Sequence, residues 1–138
     1  LLAEAKLSPE LRNEALYYRA KAYTKQKAGK KALEDYRELA KDTRNSYGAE
    51  AKYQVAQSLY DAKEYAAAEK ELLNYIEQST PHAYWLARSF VLLSDVYHAT
   101  GKDLDARQYL LSLQQNYQGN DDIESMIESR LSKLKVEN

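Results

Sequence analysis

The sequence has 138 residues, with 20 lysines and arginines against 21 aspartates and glutamates, and no cysteine. That length fits one domain, and a hydrophobic fraction of 44% is typical of an ordinary globular protein. The formal net charge of −1 lacks the basic excess of a nucleic-acid-binding protein. No apolar run approaches the roughly 20 residues of a membrane span, and disulfides and thiol chemistry are excluded.

The composition also predicts a chain that is nearly all helix, because only 4 glycines and 2 prolines interrupt a sequence rich in alanine, leucine, glutamate, lysine and tyrosine. Ser8-Pro9-Glu10 is a helix start signal, with a capping side chain followed by proline. Capping and turn residues predict the following helices in chain order: Pro9–Lys27, Gly29–Arg44, Tyr47–Lys63, Tyr65–Ser79, His82–Gly101, Asp103–Tyr117, and a last one from Asp121 to Val136.

Three segments of the sequence resemble one another: Asn13–Arg44, Ala49–Thr80 and Ala87–Gln118, which begin 36 and then 38 residues apart. The eighth and twentieth residues of each segment are small, and the eleventh and twenty-fourth are large. The small residues are Ala20, Ala56 and Ser94, then Ala32, Ala68 and Ala106. Small side chains let two helices approach closely, and one such pair cannot bury both of its apolar faces. The pattern therefore predicts helix pairs that stack.

This pattern resembles the tetratricopeptide repeat family over almost the whole chain. The second segment has residues at the family's signature positions, namely Ala56, Leu59, Tyr65, Ala68 and Leu72, with Pro81 near the terminal proline. The resemblance implies an all-α, right-handed superhelix (TPR solenoid) of about three helix pairs plus a C-terminal capping helix. The lengthened, tyrosine-rich repeats are also similar to those of bacterial envelope proteins, such as the β-barrel assembly lipoprotein and the Tol-Pal accessory protein. That likeness implies the periplasm or cell envelope, with the cytoplasm as the alternative.

The resemblance implies one domain over residues 1–138: repeat 1 at 8–46, repeat 2 at 47–81, repeat 3 at 82–118 and a capping helix at 119–138. Residues 1–7 are interpreted as the tail of a preceding helix, so we expect the C-terminal part of a longer protein. The capping helix has one apolar stripe, formed by Ile123, Ile127, Leu131 and Leu134. Arg19 stands at a position that is usually apolar in the family.

The sequence offers no convincing catalytic residue or metal ligand. His82 and His98 are the only histidines, and neither has ligands at metal-binding spacing. The acidic segment 121–124, with Asp121, Asp122 and Glu124, lacks the alternating ligands of a calcium loop and suits helix capping instead. The basic turn at residues 27–31 lacks the glycine-rich loop of a phosphate site. We therefore expect no enzyme activity, no cofactor and no metal.

The family resemblance implies a concave groove lined by the first helix of each pair. The candidate binding residues on it are Tyr17, Lys21, Lys25, Tyr53, Gln57, Tyr60, Asp61, Arg88, Asp95 and His98. For the tyrosines at 17, 53 and 60 a second interpretation is open, in which they pack between adjacent first helices. The carboxylate clamp of chaperone-binding family members is not reproduced at the corresponding positions.

The expected function is a non-catalytic protein–protein interaction scaffold that docks a peptide or a partner segment. Two alternatives remain open: a structural spacer and cap for an upstream binding site, or an accessory domain of an enzyme. Self-association is a further expectation, through an apolar patch at the N-terminal end formed by Leu1, Leu2, Leu7 and Leu11.

Overall fold

The computed structural model describes residues 8–78 and 81–134, and within these ranges it contains seven α-helices and no strand. In chain order they are α1 Pro9–Lys25, α2 Gly29–Leu39, α3 Ser46–Asp61, α4 Tyr65–Glu77, α5 Ala83–Ala99, α6 Asp103–Asn116 and α7 Ile123–Leu131. The all-α prediction is confirmed. None of these helices combines the length and the apolar character that crossing a membrane requires.

The helices are arranged in two kinds of contact. Each helix contacts the next one along the chain, and α1, α3, α5 and α7 also contact one another in series. Among the described residues, α2, α4 and α6 make no such contact with one another. The odd-numbered helices therefore form one continuous row, here called the odd-helix row, and each even-numbered helix packs against two neighbours in it.

Small residues allow this close packing. The six small residues at the eighth and twentieth positions of the repeat segments are all buried, none more than 4% exposed. The large residues at the twenty-fourth position, Tyr36, Leu72 and Leu110, fill the space beside them and are at most 5% exposed. Burying one such leucine contributes about 1.5–3 kcal/mol to the free energy of folding. The repeated pattern therefore corresponds to repeated packing.

The turns inside the three helix pairs have the same backbone geometry. The fifteenth residue of each segment has a positive φ: 61° at Lys27, 63° at Lys63 and 79° at Gly101. In each turn the next N–H donates to the carbonyl five residues earlier, at 2.7 to 2.9 Å. This is the six-to-one bond that ends many helices. The predictions that α1 and α3 reach Lys27 and Lys63 are wrong by two residues, because both lysines are in the left-handed conformation.

The second helix also ends earlier than predicted, at Leu39 instead of Arg44. Residues 40–45 form a turn instead, in which Asp42 Oδ1 accepts hydrogen bonds from the Arg44 backbone N–H and Nε. Asn45 then caps α3 by accepting the Gly48 N–H at 2.8 Å. The last helix ends at Leu131, not Val136, and residues 135–138 lie outside the described residues.

Residues that depart from the repeat pattern on the first helices have a partner on the second helix of the same pair. Arg19 donates two hydrogen bonds, of 2.8 and 2.6 Å, to Asp35, which is 4% exposed. The residue equivalent to Asp35 in the second pair, Glu71, accepts a 2.9 Å hydrogen bond from Lys52. In the third pair the equivalent contact is aromatic, between Phe90 and Tyr109. Arg19, Lys52 and Phe90 thus each have a contact partner on the second helix of their own pair.

A substitution at Gly48 tests how closely the start of α3 approaches the backbone that follows α2. A Cβ atom at this position would overlap the backbone carbonyl of Asp42, which cannot move without disturbing the turn. We expect Gly48→Ala to lower the free energy of unfolding by about 2 kcal/mol or more. Gly29→Ala is the matched control, since a Cβ atom at position 29 would meet no neighbouring atom within 4 Å and its φ is not positive.

That control should raise stability by about 0.5 kcal/mol, because alanine restricts the unfolded chain and favours helix. Urea unfolding followed by circular dichroism measures both changes. Equal effects of the two substitutions would contradict the close approach at Gly48.

Candidate binding surface

All the candidate binding residues lie on three helices of the odd-helix row, α1, α3 and α5. Their exposure differs, however. Lys25, Asp61 and His98 are exposed, and Tyr53 is buried. The partly buried candidates are Tyr17, Lys21, Gln57, Tyr60, Arg88 and Asp95. The surroundings of these side chains therefore differ between the three contacts of the row, which are α1–α3, α3–α5 and α5–α7.

At the α1–α3 contact, Glu50 is the common acceptor for two candidates. Its carboxylate, 8% exposed, accepts a hydrogen bond from Tyr17 Oη at 2.9 Å and another from Lys21 Nζ at 2.8 Å. The Lys21 ammonium also lies 5.1 Å from the centre of the Tyr17 ring. These groups satisfy one another, so the contact is a closed polar cluster that joins the two helices.

The cluster shifts the ionisation of both donors. Burial raises the pKa of Tyr17, and the hydrogen bond to the Glu50 carboxylate raises it further. Burial alone would lower the pKa of Lys21, but the hydrogen bond and the charge of Glu50 outweigh it, so the pKa of Lys21 is raised. Both groups therefore keep their protons to higher pH in the folded protein than in the unfolded chain.

At the α3–α5 contact, Tyr53 and Arg88 form the centre of a hydrogen-bonded chain. Arg88 donates to Tyr53 Oη at 3.0 Å and to Tyr84 Oη at 2.9 Å, with its guanidinium 4.8 Å from the centre of the Tyr53 ring. Tyr53 donates to Gln57, and Tyr84 donates to Asp122, each at 2.9 Å. The chain links α3 through α5 to the residue before α7.

Tyr53 thus follows the second of the two interpretations given for the tyrosines. It is 6% exposed and packs between α3 and α5, with its ring 5.6 Å from that of Trp85. Tyr17 is only partly buried, but it also joins two first helices, because its hydroxyl donates a hydrogen bond to Glu50. Tyr60 differs, since it borders an open cleft.

That cleft lies where α3, α5 and α7 meet and has a volume of about 350 Å³. It is named the cap cleft and is lined by Gln57, Tyr60, Ser94, Asp95, His98, Arg130, Lys133 and Leu134. Four candidate residues meet here: Gln57, Tyr60, Asp95 and His98. The other candidates do not line it, and four of those, Tyr17, Lys21, Tyr53 and Arg88, belong to the two contacts described above.

Sequence reasoning missed the contribution of the last helix to this cleft. Arg130 binds Asp95 through Nε at 3.2 Å and Nη2 at 3.3 Å, which fixes α7 against α5. Lys133 and Leu134 follow on the same side. A signal was present, because Arg130 and Lys133 flank the apolar stripe that contains Leu131 and Leu134. Residues beside a buried stripe border the groove between packed helices.

His98 and the acidic residues before α7 bind neighbouring groups. His98 Nδ1 lies 2.8 Å from Asp103 Oδ1 at the start of α6. Asp121 accepts hydrogen bonds from the Ile123 backbone N–H and from Tyr117 Oη, which is consistent with the capping interpretation. In residues 8–78 and 81–134, no group of three or more histidine, aspartate or glutamate side chains is positioned to hold a metal ion.

The α1–α3 cluster predicts a specific pH dependence of stability. A group whose pKa is raised by folding stabilises the protein below its unfolded pKa and loses that contribution as pH rises through the folded pKa. The ordinary values are 10.0 for tyrosine and 10.5 for lysine, so we expect the free energy of unfolding to fall above about pH 10.

Glu50→Gln removes the charge that raises the pKa of Lys21 and that adds to the effect of burial on the pKa of Tyr17. We expect this variant to lose about 1 kcal/mol at neutral pH and to show a shallower decline in alkali than the wild type. Urea unfolding across the pH range measures both, with Glu128→Gln, an exposed carboxylate on α7, as the control. An alkaline decline as steep in Glu50→Gln as in the control would refute the assignment.

Comparison of the sequence with protein-family models gives no matching family, and a search of curated proteins gives no significantly similar sequence. The resemblance to the tetratricopeptide repeat family therefore stays a prediction, which rests on the repeat positions and their packing.

Proposed function

We propose that this chain is a non-catalytic protein–protein interaction scaffold that docks a peptide or partner segment along the odd-helix row. The observation that carries the proposal is the cap cleft. It is an open, mixed polar and apolar surface built by three helices, and it gathers four of the residues expected to face a groove. Clefts between packed helices, with a few convergent polar groups, are typical recognition sites.

The proposed fold is a right-handed superhelix of the tetratricopeptide type. Two features support it: the odd-numbered helices contact one another in series, and the three pairs share one turn geometry. A stack of this kind holds its surface groups on rigid helices, so binding costs little ordering of the scaffold. That property suits a docking surface.

The rival function is a structural spacer whose binding partner contacts another part of a longer protein, with an accessory role in an enzyme as a third possibility. The polar clusters at the α1–α3 and α3–α5 contacts suit a spacer equally well, because they only join helices. The cap cleft distinguishes the proposals. A spacer has no need for an open cleft with polar side chains directed at it.

The test is an affinity capture from the source organism with wild-type protein and two double variants. Tyr60→Ala/His98→Ala alters the cap cleft, and Lys70→Ala/Glu77→Ala alters exposed side chains of α4 as the matched control. We expect a captured partner to be lost, at least about tenfold, only with the first variant.

Circular dichroism and thermal melting establish that both variants are folded. Equal capture by both variants would place the contact on another surface. Failure of the wild type to capture any partner would favour the spacer.

Self-association through the N-terminal end is a second proposal. Leu11 and Tyr18 on α1 are 54% and 59% exposed, whereas Leu1, Leu2 and Leu7 lie outside the described residues. The residue equivalent to Tyr18 in the third pair, Leu92, is 2% exposed and packs in a cluster with Leu72 of α4. The face of α1 that carries Leu11 and Tyr18 therefore corresponds to one that another helix covers in α5.

We expect light scattering to show a mass that rises with concentration for the wild type and less so for Leu11→Glu/Tyr18→Glu. Leu104→Glu, on α6 and also more than half exposed, is the control and should behave as the wild type. A wild-type protein that stays monomeric at high concentration contradicts this proposal.

A further inference from the structure

The polar groups of the odd-helix row are not equally satisfied along its length. At the α1–α3 contact, Lys21 is bound to a carboxylate, and at the α3–α5 contact, Arg88 is bound to two tyrosine hydroxyls. In the cap cleft the hydrogen-bond donors exceed the acceptors. These additional donors are available to a ligand in the cleft.

Arg130 supplies the first of the unused donors. A guanidinium has five N–H groups, and Asp95 accepts from only Nε and Nη2. Within the described residues no second acceptor contacts this guanidinium, and its side chain is 32% exposed. One edge is therefore fixed by Asp95, while the remaining N–H groups can reach a molecule in the cleft. A guanidinium fixed in this way is well suited to bind a second carboxylate.

Lys133 and Tyr60 supply further donors. Lys133 is exposed, lines the cleft and makes no ion pair within the described part of the chain. The Tyr60 hydroxyl makes no hydrogen bond there either, and burial together with the charge of Asp95 raises the pKa of Tyr60, so the hydroxyl stays protonated at neutral pH. Three donor side chains thus surround one cavity.

The charges in the cleft are unequal. Arg130 and Lys133 are cationic, and among the lining residues that the structure describes Asp95 is the only carboxylate. Asp61, an acid at the end of α3, is outside the lining and accepts a hydrogen bond from Gln57 Nε2. The lining therefore has a net positive charge, although the whole chain has a formal charge of −1. Such a site attracts an anionic group of the partner.

We propose that the cap cleft binds a carboxylate of an acidic segment in the partner protein, held by Arg130, Lys133 and Tyr60. This inference rests on the proposed docking function. A volume of about 350 Å³ accommodates one acidic side chain and its neighbouring backbone, with Leu134 as an apolar wall. The carboxylate is the side chain of an aspartate or glutamate in that segment.

The experiment is an NMR titration of the ¹⁵N-labelled chain with short peptides. The first probe is Ala-Glu-Ala-Glu-Ala with both ends blocked, the second is the same peptide with glutamine for glutamate, and the third is acetylated penta-alanine with a free carboxyl end. A fourth titration uses inorganic phosphate. The protein variants are Lys133→Glu in the cleft and Lys70→Glu on α4 as the matched control.

We expect saturable shifts of amides around Tyr60, Asp95 and Arg130 with the glutamate peptide and none with the glutamine peptide. Lys133→Glu should weaken binding about tenfold or more, because it replaces an attractive charge with a repulsive one, whereas Lys70→Glu should not. Shifts with the free-carboxyl peptide alone would contradict the acidic segment and assign the site to the end of a chain.

Three results would overturn the inference: no saturable shift with the glutamate peptide, an equal response to the glutamine peptide, or saturable binding of phosphate alone. The proposed docking function is tested separately. If a partner is captured by the wild type, lost with Tyr60→Ala/His98→Ala and retained by Lys133→Glu, the docking function stands and the carboxylate assignment fails.

Discussion

The two helices of each pair approach each other closely, and this close approach determines how the other helices pack. Six small residues, at most 4% exposed, lie where the two helices of each pair meet. A larger side chain at any of them would separate the pair and displace the large residues that fill the neighbouring space. Because the same spacing recurs three times, each first helix is brought beside the next one, and the odd-helix row is the result.

Bringing the first helices together removes polar side chains from water. This removal carries a free-energy cost, and the cost determines much of the surface chemistry. Glu50 and Tyr53 are buried at successive contacts of the row, so each needs hydrogen-bond partners. Lys21 and Arg88 supply them from the adjacent first helix. Side chains that would serve as ligand contacts on an open groove thereby become structural. Unused donors remain where the row ends against the shorter helix α7.

Two tyrosines on α3 show which features of the site could be predicted from the sequence and which could not. Tyr53 and Tyr60 are seven residues apart, so they lie on one face of the helix, and the sequence treats them alike. In the structure α5 covers Tyr53 with Trp85 and Arg88, whereas its next turns place Asp95 and His98 near Tyr60 and leave a cleft. The difference arises from side chains on another helix, which periodicity in α3 cannot reveal. The contribution of Arg130 to the cleft is likewise a property of how α7 packs.

The all-helical class, the order of the helices and the positions of the buried small residues could be predicted from the sequence, because these depend on local propensity and on spacing within a segment. The sequence predicted the turn positions to within a few residues. It gave no sign that Lys27 and Lys63 are left-handed, because lysine rarely adopts a positive φ, whereas glycine, as at position 101, often does. The tertiary structure determined which polar side chains pair with one another and which keep unused hydrogen-bond donors. That choice depends on distances between helices that are far apart in the chain.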